Sequence, residues 1–306
     1  MTATADMILE RRRTRRRLAF WRIAAIVAFV IALLVVVPWR GLAGSAEQAH
    51  IARIAVNGAI VDDRERTEAI RKIAERDSAK ALIVDIASPG GTVVGSEALY
   101  EALRGVAANK PVVAVVGEVA ASGGYITALA ADHIVTRRNS ITGSIGVLSM
   151  VPNVATLLER IGVSVREIKS SPLKAAPSTF NEPDPRAIAA MEALIEDSYG
   201  WFRGIVGERR GLSGAALDRV ADGRVFTGQQ AMELGLVDTI GARPAARAWL
   251  SSEHGIGPDL DVRTYTWGES ELPFPLDLLD SGASSLLPAG IGNLTSGPRL
   301  MALYTQ

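Results

Sequence analysis

From residue 51 onward, short apolar runs alternate with stretches of helical spacing. Residues 51–56 predict a strand, and 64–76 a helix with one polar face. Residues 81–87 predict a second strand, apolar except for Asp85, closed by a turn at Ser88-Pro89-Gly90-Gly91. A helix over 94–108 and a strand over 111–116 follow, then a helix from Ser122 to Ala131. Strands are expected at 133–136, 140–148 and 163–168, with a helix at 154–161 between the last two. Apolar runs of this length separated by helices predict a largely parallel, buried sheet, hence an α/β fold. Residues 170–184 break the pattern with Pro172, Pro177 and Pro183, as a surface loop or a functional loop would. A long helix over 185–210 and two short ones around Gly223, within 217–237, complete the pattern. Residues 272–306, rich in Pro, Gly, Ser and Leu, predict an irregular tail.

The N-terminus differs from the rest. Arg11, Arg12, Arg13, Arg15, Arg16, Arg17 and Arg22 precede an apolar run over 23–37. With its flanks, residues 18–39, this run is long enough to cross a hydrocarbon layer about 30 Å thick at about 1.5 Å per residue. Arginines before the run and only Arg40 close behind it predict an N-terminus in the cytoplasm and a chain outside after residue 40. A cleaved signal peptide has a similar layout, and Gly44-Ser45-Ala46 offers small residues for cleavage. The length of the apolar run and of the basic segment favours an uncleaved anchor. The expected organisation is a basic segment over 1–17, an anchor over 18–39, a linker over 40–50, a catalytic domain over 51–260 and a tail over 261–306.

Lys plus Arg equals Asp plus Glu, so no net charge points to nucleic acid. There is no cysteine, which excludes disulfides, thiolate metal sites and a cysteine nucleophile. No His, Asp and Glu cluster has metal-ligand spacing, and no cofactor is expected.

Three segments carry candidate chemistry. The two glycines of Ser88-Pro89-Gly90-Gly91 allow a sharp turn and an N–H approachable without a Cβ in the way. Ser122, in Ala121-Ser122-Gly123-Gly124-Tyr125, stands at a predicted helix start. A serine there is ordinarily an N-cap, but the helix N-terminus also favours developing negative charge beside a nucleophile. Lys169-Ser170-Ser171-Pro172-Leu173-Lys174 supplies two lysines, either of which would ordinarily be solvated. A lysine base must lose its proton, and burial has to lower an ordinary pKa of about 10.4 by roughly 3 units for that to happen near neutrality. Of the three histidines, His50, His133 and His254, none has a neighbouring Asp in a triad-like arrangement, and there is no Gly-x-Ser-x-Gly elbow. Among hydrolytic schemes a serine with a lysine fits best.

These segments, with Ser140-Ile141-Thr142-Gly143-Ser144-Ile145-Gly146-Val147 and Gly223-Arg224-Val225-Phe226-Thr227-Gly228, resemble the bacterial signal peptide peptidase A family in its short, single-repeat form. The resemblance covers about 51–250. It implies a fold related to the Clp protease and crotonase folds, a spiral of β-β-α units. It also implies Ser122 as nucleophile, Lys174 as general base, Ser144 as a hydrogen-bond partner of the lysine, and the Gly91 and Gly123 N–H groups as the oxyanion hole. Ala175-Ala176-Pro177 replaces a more polar stretch of the family after Lys174. The implied activity is degradation of cleaved signal peptides at the outer face of the bacterial cytoplasmic membrane. Because the chain holds one repeat, the resemblance implies a ring-shaped homo-oligomer with each site shared between copies. Two rivals share the fold: a non-catalytic membrane scaffold, and a crotonase-like acyl-CoA enzyme, which would need positioned glutamates. For the latter, Glu118 lies near the right turn.

Overall fold

A computed structural model describes residues 20–23, 25–28 and 48–267. Eight strands form one sheet in the order β6-β5-β3-β2-β1-β8, with β4 pairing β3 and β7 beside that path. The strands are β1 (His50–Ile60), β2 (Ala79–Gly91), β3 (Val112–Ala121), β4 (His133–Thr136), β5 (Ile141–Gly143), β6 (Val225–Thr227), β7 (Thr239–Ile240) and β8 (Val262–Thr264). All pairings are parallel except β5 with β6. The helices are α1 (Arg64–Glu75), α2 (Val93–Ala107), α3 (Gly123–Leu129), α4 (Ala155–Arg160), α5 (Pro185–Arg210), α6 (Gly214–Val220), α7 (Gly228–Glu233) and α8 (Arg243–His254). The mixed α/β class and the mostly parallel sheet agree with the pattern of apolar runs.

The central strands owe their position to composition. Ile51, Ile54, Leu82, Ile83, Val84, Val113 and Ala114 are all buried, as expected of strands covered on both faces. Asp85, the one charge in the β2 run, is tolerated because Arg53 Nε reaches its Oδ2 at 2.6 Å and Arg243 Nε at 3.2 Å. On the same face, α8 packs Ala246 and Leu250 against Ile51, Ile83, Val113 and Val135. Helix boundaries follow local chemistry: Asp63 and Thr92 cap α1 and α2 through their side chains, and Gly211, in the left-handed conformation, ends α5.

Several expectations change. Ser88–Gly91 is not a turn after β2 but the end of it. Gly90 and Gly91 pair with Ala59 and Ile60 across a register shift. β5 covers only Ile141–Gly143, and residues 163–168 form no strand. The alternation Val163, Val165 is exposed and does not face the sheet of this chain. The sheet also continues past residue 260: Val262–Thr264 pairs with Ile51–Arg53, and Tyr265 Oη lies 2.7 Å from His50 Nε2. The expected anchor and tail lie outside the described residues, apart from helical residues 20–23 and 25–28 and residues 261–267. Among the described residues, no helix is long and apolar enough to cross a membrane.

Candidate active site

The site is built where β2, β3 and β5 end. Ser122 leaves β3 with φ 52° and ψ −120°, a conformation rarely adopted by a residue with a Cβ, and α3 begins at the next residue. Its N–H donates to Gly143 O at 2.9 Å, which fastens the bend to β5. Its side chain caps no helix N–H, so the ordinary N-cap role does not explain this serine. Tyr125 and Ile126 N–H instead bond the Ser122 carbonyl at 2.8 and 3.0 Å. A strained residue held by its surroundings at a helix start is a common property of reactive sites.

The glycines around Ser122 are required by close packing. A Cβ on Gly123 would lie 2.2 Å from Ser96 Oγ and 3.2 Å from Gly91 N. One on Gly91 would run into Ile60 O at 1.8 Å, and one on Gly124 into Ser88 O at 2.5 Å. The N–H after Gly91, that of Thr92, donates to Ile60 O at 2.9 Å. Successive strand amides point to opposite sides, so the Gly91 N–H faces away from β1, on the side where Gly123 lies. Gly123 N is the first amide of α3, one of those with no partner inside the helix. The Ser88 hydroxyl accepts from Gly90 N at 3.1 Å and fixes the approach of this strand end.

Ser122, Gly91, Gly123 and Ser144 line a single cavity of about 490 Å³. Ser144 follows the residue that accepts from Ser122 N. It too has a positive φ, 53°, and its N–H donates to Arg224 O at 2.8 Å. Four of the five residues singled out from the sequence thus converge on one cavity.

Lys174 does not join them. It is exposed, lines none of the described cavity around Ser122, and sits in the turn after Ser171, whose carbonyl accepts from Lys174 N at 3.1 Å. Among the described residues its ammonium has no hydrogen bond or ion pair. Lys169 differs: its Nζ is 2.5 Å from Glu167 Oε2, and that contact, with a hydrogen bond from Ser178, holds the Glu167 carboxyl below its ordinary pKa. The stretch that carries both lysines is poorly packed on its own chain. Helix α4 has no buried residue, while Leu148, Met150, Leu157, Ile161 and Ile168 are exposed.

Sequence reading missed the far wall of the cavity. Val93 and Ser96 come from α2, and Ser198, Trp201 and Phe202 from α5. The only available signal was helical: positions 93, 96 and 100 share a face of α2, and 198, 201 and 202 a face of α5. Among the described residues no group of His, Asp and Glu could hold a metal ion.

The model of "Peptidase family S49" matches residues 104–257. "Putative protease slr0021" of Synechocystis is 42% identical over 241 residues, covering 75% of this chain and 87% of that protein. "Putative signal peptide peptidase SppA" of Enterococcus faecium is 30% identical, covering 64% of this chain and 61% of its own length. "Serine protease SPPA, chloroplastic" of Arabidopsis thaliana is 30% identical over 81% of this chain but only 38% of that protein. The bent serine over a glycine-lined cavity, the family match and these relatives together place the chain in peptidase family S49 as a serine protease.

Proposed function

We propose that the protein is a membrane-anchored endopeptidase that degrades cleaved signal peptides through a Ser122–Lys174 dyad. Neutral Lys174 takes the Ser122 hydroxyl proton as the oxygen attacks a peptide carbonyl. The oxyanion is received by the Gly91 and Gly123 N–H groups, the lysine returns the proton to the leaving amine, and water then hydrolyses the acyl-enzyme. Ser144 holds the lysine amine in place. The observation that carries this reading is Ser122 itself, bent into the cavity without a capping role and followed by Gly123, where an added Cβ would stand 3.2 Å from Gly91 N. Lys174 is favoured over Lys169 as the base because Lys169 is occupied by Glu167.

Lys174 and Ser122 do not share a cavity within one chain, so we infer that a neighbouring copy delivers the lysine. The exposed apolar surface around Leu148, Met150, Leu157 and Ile168 supports this, since unpaired apolar patches of this kind mark protein interfaces. A head-to-tail contact of this type closes into a ring where its rotation is a whole fraction of a turn, and a ring is the assembly we propose. We further place residues 18–39 as an anchor in the bacterial cytoplasmic membrane, with the catalytic domain on its outer side. The arginines ahead of the apolar run support that orientation, and the name of the Enterococcus relative supports the substrate class.

The reading is tested by labelling with a fluorophosphonate and by degradation of a synthetic signal peptide. Wild type labels and degrades; Ser122→Ala does neither. Absence of labelling in the assembled wild type would leave a scaffold of the same fold. For the anchor, a reporter fused after Gln306 is expected to be active only outside the cytoplasm, and cytoplasmic activity would contradict the orientation.

A further inference from the structure

The cavity that opens at Ser122 has an apolar far wall whose residues take no part in the acyl-transfer step. Val93, Ile126, Val147, Leu148, Trp201 and Phe202 line it, and no lining residue is charged. Its hydroxyls are those of Ser96, Ser122, Ser144 and Ser198, and that of Ser96 is committed to Thr92 O at 2.9 Å. A charged substrate side chain entering this space would lose its water without gaining an opposite charge, at a cost above the gain from apolar contact. The space therefore suits an apolar side chain. With the carbonyl carbon over Ser122 and its oxygen toward Gly91 and Gly123, the first side chain to enter is the one on the residue that supplies that carbonyl. It is one bond nearer the reacting carbon than the side chain beyond the leaving nitrogen.

Within this wall two residues differ in how they are held. Phe202 is buried at 1% exposure and belongs to the core of the domain. Trp201 is only half-buried, and its indole meets the ring of Tyr100 edge to face, with centroids 6.4 Å apart and planes at 87°. Tyr100 lies on the face of α2 that also carries Val93 and Ser96 into the cavity, so α2 both contributes to the pocket and backs the indole. An edge-to-face pair of this kind fixes a ring that packing alone leaves partly free.

We propose that Trp201, positioned by Tyr100, is the main specificity-determining residue of this peptidase. It supplies the apolar surface that selects a large, uncharged side chain at the residue on the acyl side of the scissile bond. This inference rests on Ser122 being the nucleophile. Differences of a few methylene groups in an apolar pocket are worth roughly 10–200-fold in kcat/KM, so the wall has a readable effect.

The experiment uses the full-length assembled protein and fluorogenic peptides that differ only at that residue, carrying Leu, Phe, Ala, Asp or Lys. Wild type is expected to prefer Leu and Phe over Ala by at least tenfold and to turn over Asp and Lys least. Trp201→Ala is expected to reduce the Leu-to-Ala ratio of kcat/KM about tenfold, and Trp201→Phe to keep most of it. Tyr100→Ala moves the ratio in the same direction by less, while Tyr100→Phe, which keeps the ring contact, leaves it unchanged. A ratio within one enzyme cancels any uniform loss of active protein, so a merely structural role for Trp201 would leave it unmoved. An active wild type with no preference, equal use of Asp or Lys, or an unaltered ratio in Trp201→Ala each overturns the proposal while sparing the Ser122 assignment. A wild type that neither labels nor hydrolyses overturns both.

Discussion

A Cβ placed on Gly90 would lie 2.9 Å from the Cβ of Ser122, so the end of β2 and the bend at Ser122 can coexist only with glycine at this position. The same Cβ would meet Gly123 N at 3.0 Å and Ala121 O at 3.1 Å, and Gly90 itself has φ 115°, a region closed to other residues. Gly90→Ala therefore pushes on both the serine and the proposed oxyanion donor. Backbone strain of this kind costs about 1–3 kcal/mol, which leaves a folded domain. Displacement of the reacting groups is expected to lower kcat by about 100-fold or more. Comparing peptide turnover with unfolding midpoints separates the two effects; full activity in Gly90→Ala would contradict the geometry given to the site.

The two lysines of the 163–184 stretch make different predictions. Lys169→Ala removes the partner of Glu167 at a position with side-chain exposure of 20%, and is expected to change turnover only a few-fold. Lys174→Ala and Lys174→Arg should both abolish turnover, since a guanidinium does not deprotonate in a protein. Single-turnover assays on the three variants decide between the lysines. Retained activity in Lys174→Arg would remove the lysine from the general-base role.

Acid stability depends on a junction behind the site. Arg210 Nη2 donates to Asp238 Oδ1 at 2.7 Å, and Ile134 N donates to Asp238 Oδ2 at 2.8 Å, tying the end of α5 to β4. Burial raises the Asp238 pKa, but the hydrogen bonds and charge of Arg210, with the Ile134 amide, outweigh it and hold the carboxyl below its ordinary value. Because the folded pKa lies below the unfolded value of about 3.9, this stabilisation is complete above that pH and is lost as pH falls through the lowered folded value. Burial acts the other way on His133, which stacks on Trp249, and lowers its pKa; its contribution is present above about pH 6.5 and declines as pH drops toward its folded value. Asp238→Asn is expected to cost about 2–4 kcal/mol at pH 7, somewhat less than for a fully buried pair. It should flatten the limb below pH 4 and, by removing the negative charge that raises the His133 pKa, move the His133 limb to lower pH. Denaturant unfolding from pH 7 to 3 measures both; an unchanged limb below pH 4 would contradict the role given to the pair.

The sequence made the core and the serine legible for physical reasons. The apolar runs of β1, β2 and β3 are buried on both faces, so their composition alone marks them. Ser122 stood out because two glycines follow it, and the structure gives a reason for both: Ser96 and Ser88 leave no room for a Cβ. The extension of β2 through Gly91 was hidden, since Ser-Pro-Gly-Gly reads as a turn unless the partner strand with its register shift is known. Val163 and Val165 were misleading because alternation reports that a face is apolar and not which molecule covers it. Trp201 was invisible for a further reason: its relation to Ser122 exists only after α5 has folded back over the cavity.

In the proposed mechanism the serine and the lysine of one working site come from different copies of the chain. Ser122→Ala and Lys174→Ala chains, each inactive alone, are to be mixed in equal amounts under conditions of subunit exchange, with exchange itself followed by a fluorescent label on one variant. Composite sites predict recovery of roughly a quarter of wild-type activity, because random assembly pairs an intact serine with an intact lysine at one interface in four. The double variant mixed with either single variant should stay inactive. If exchange is complete and the mixture of single variants shows no activity, the two residues meet within one protomer and the shared site is wrong.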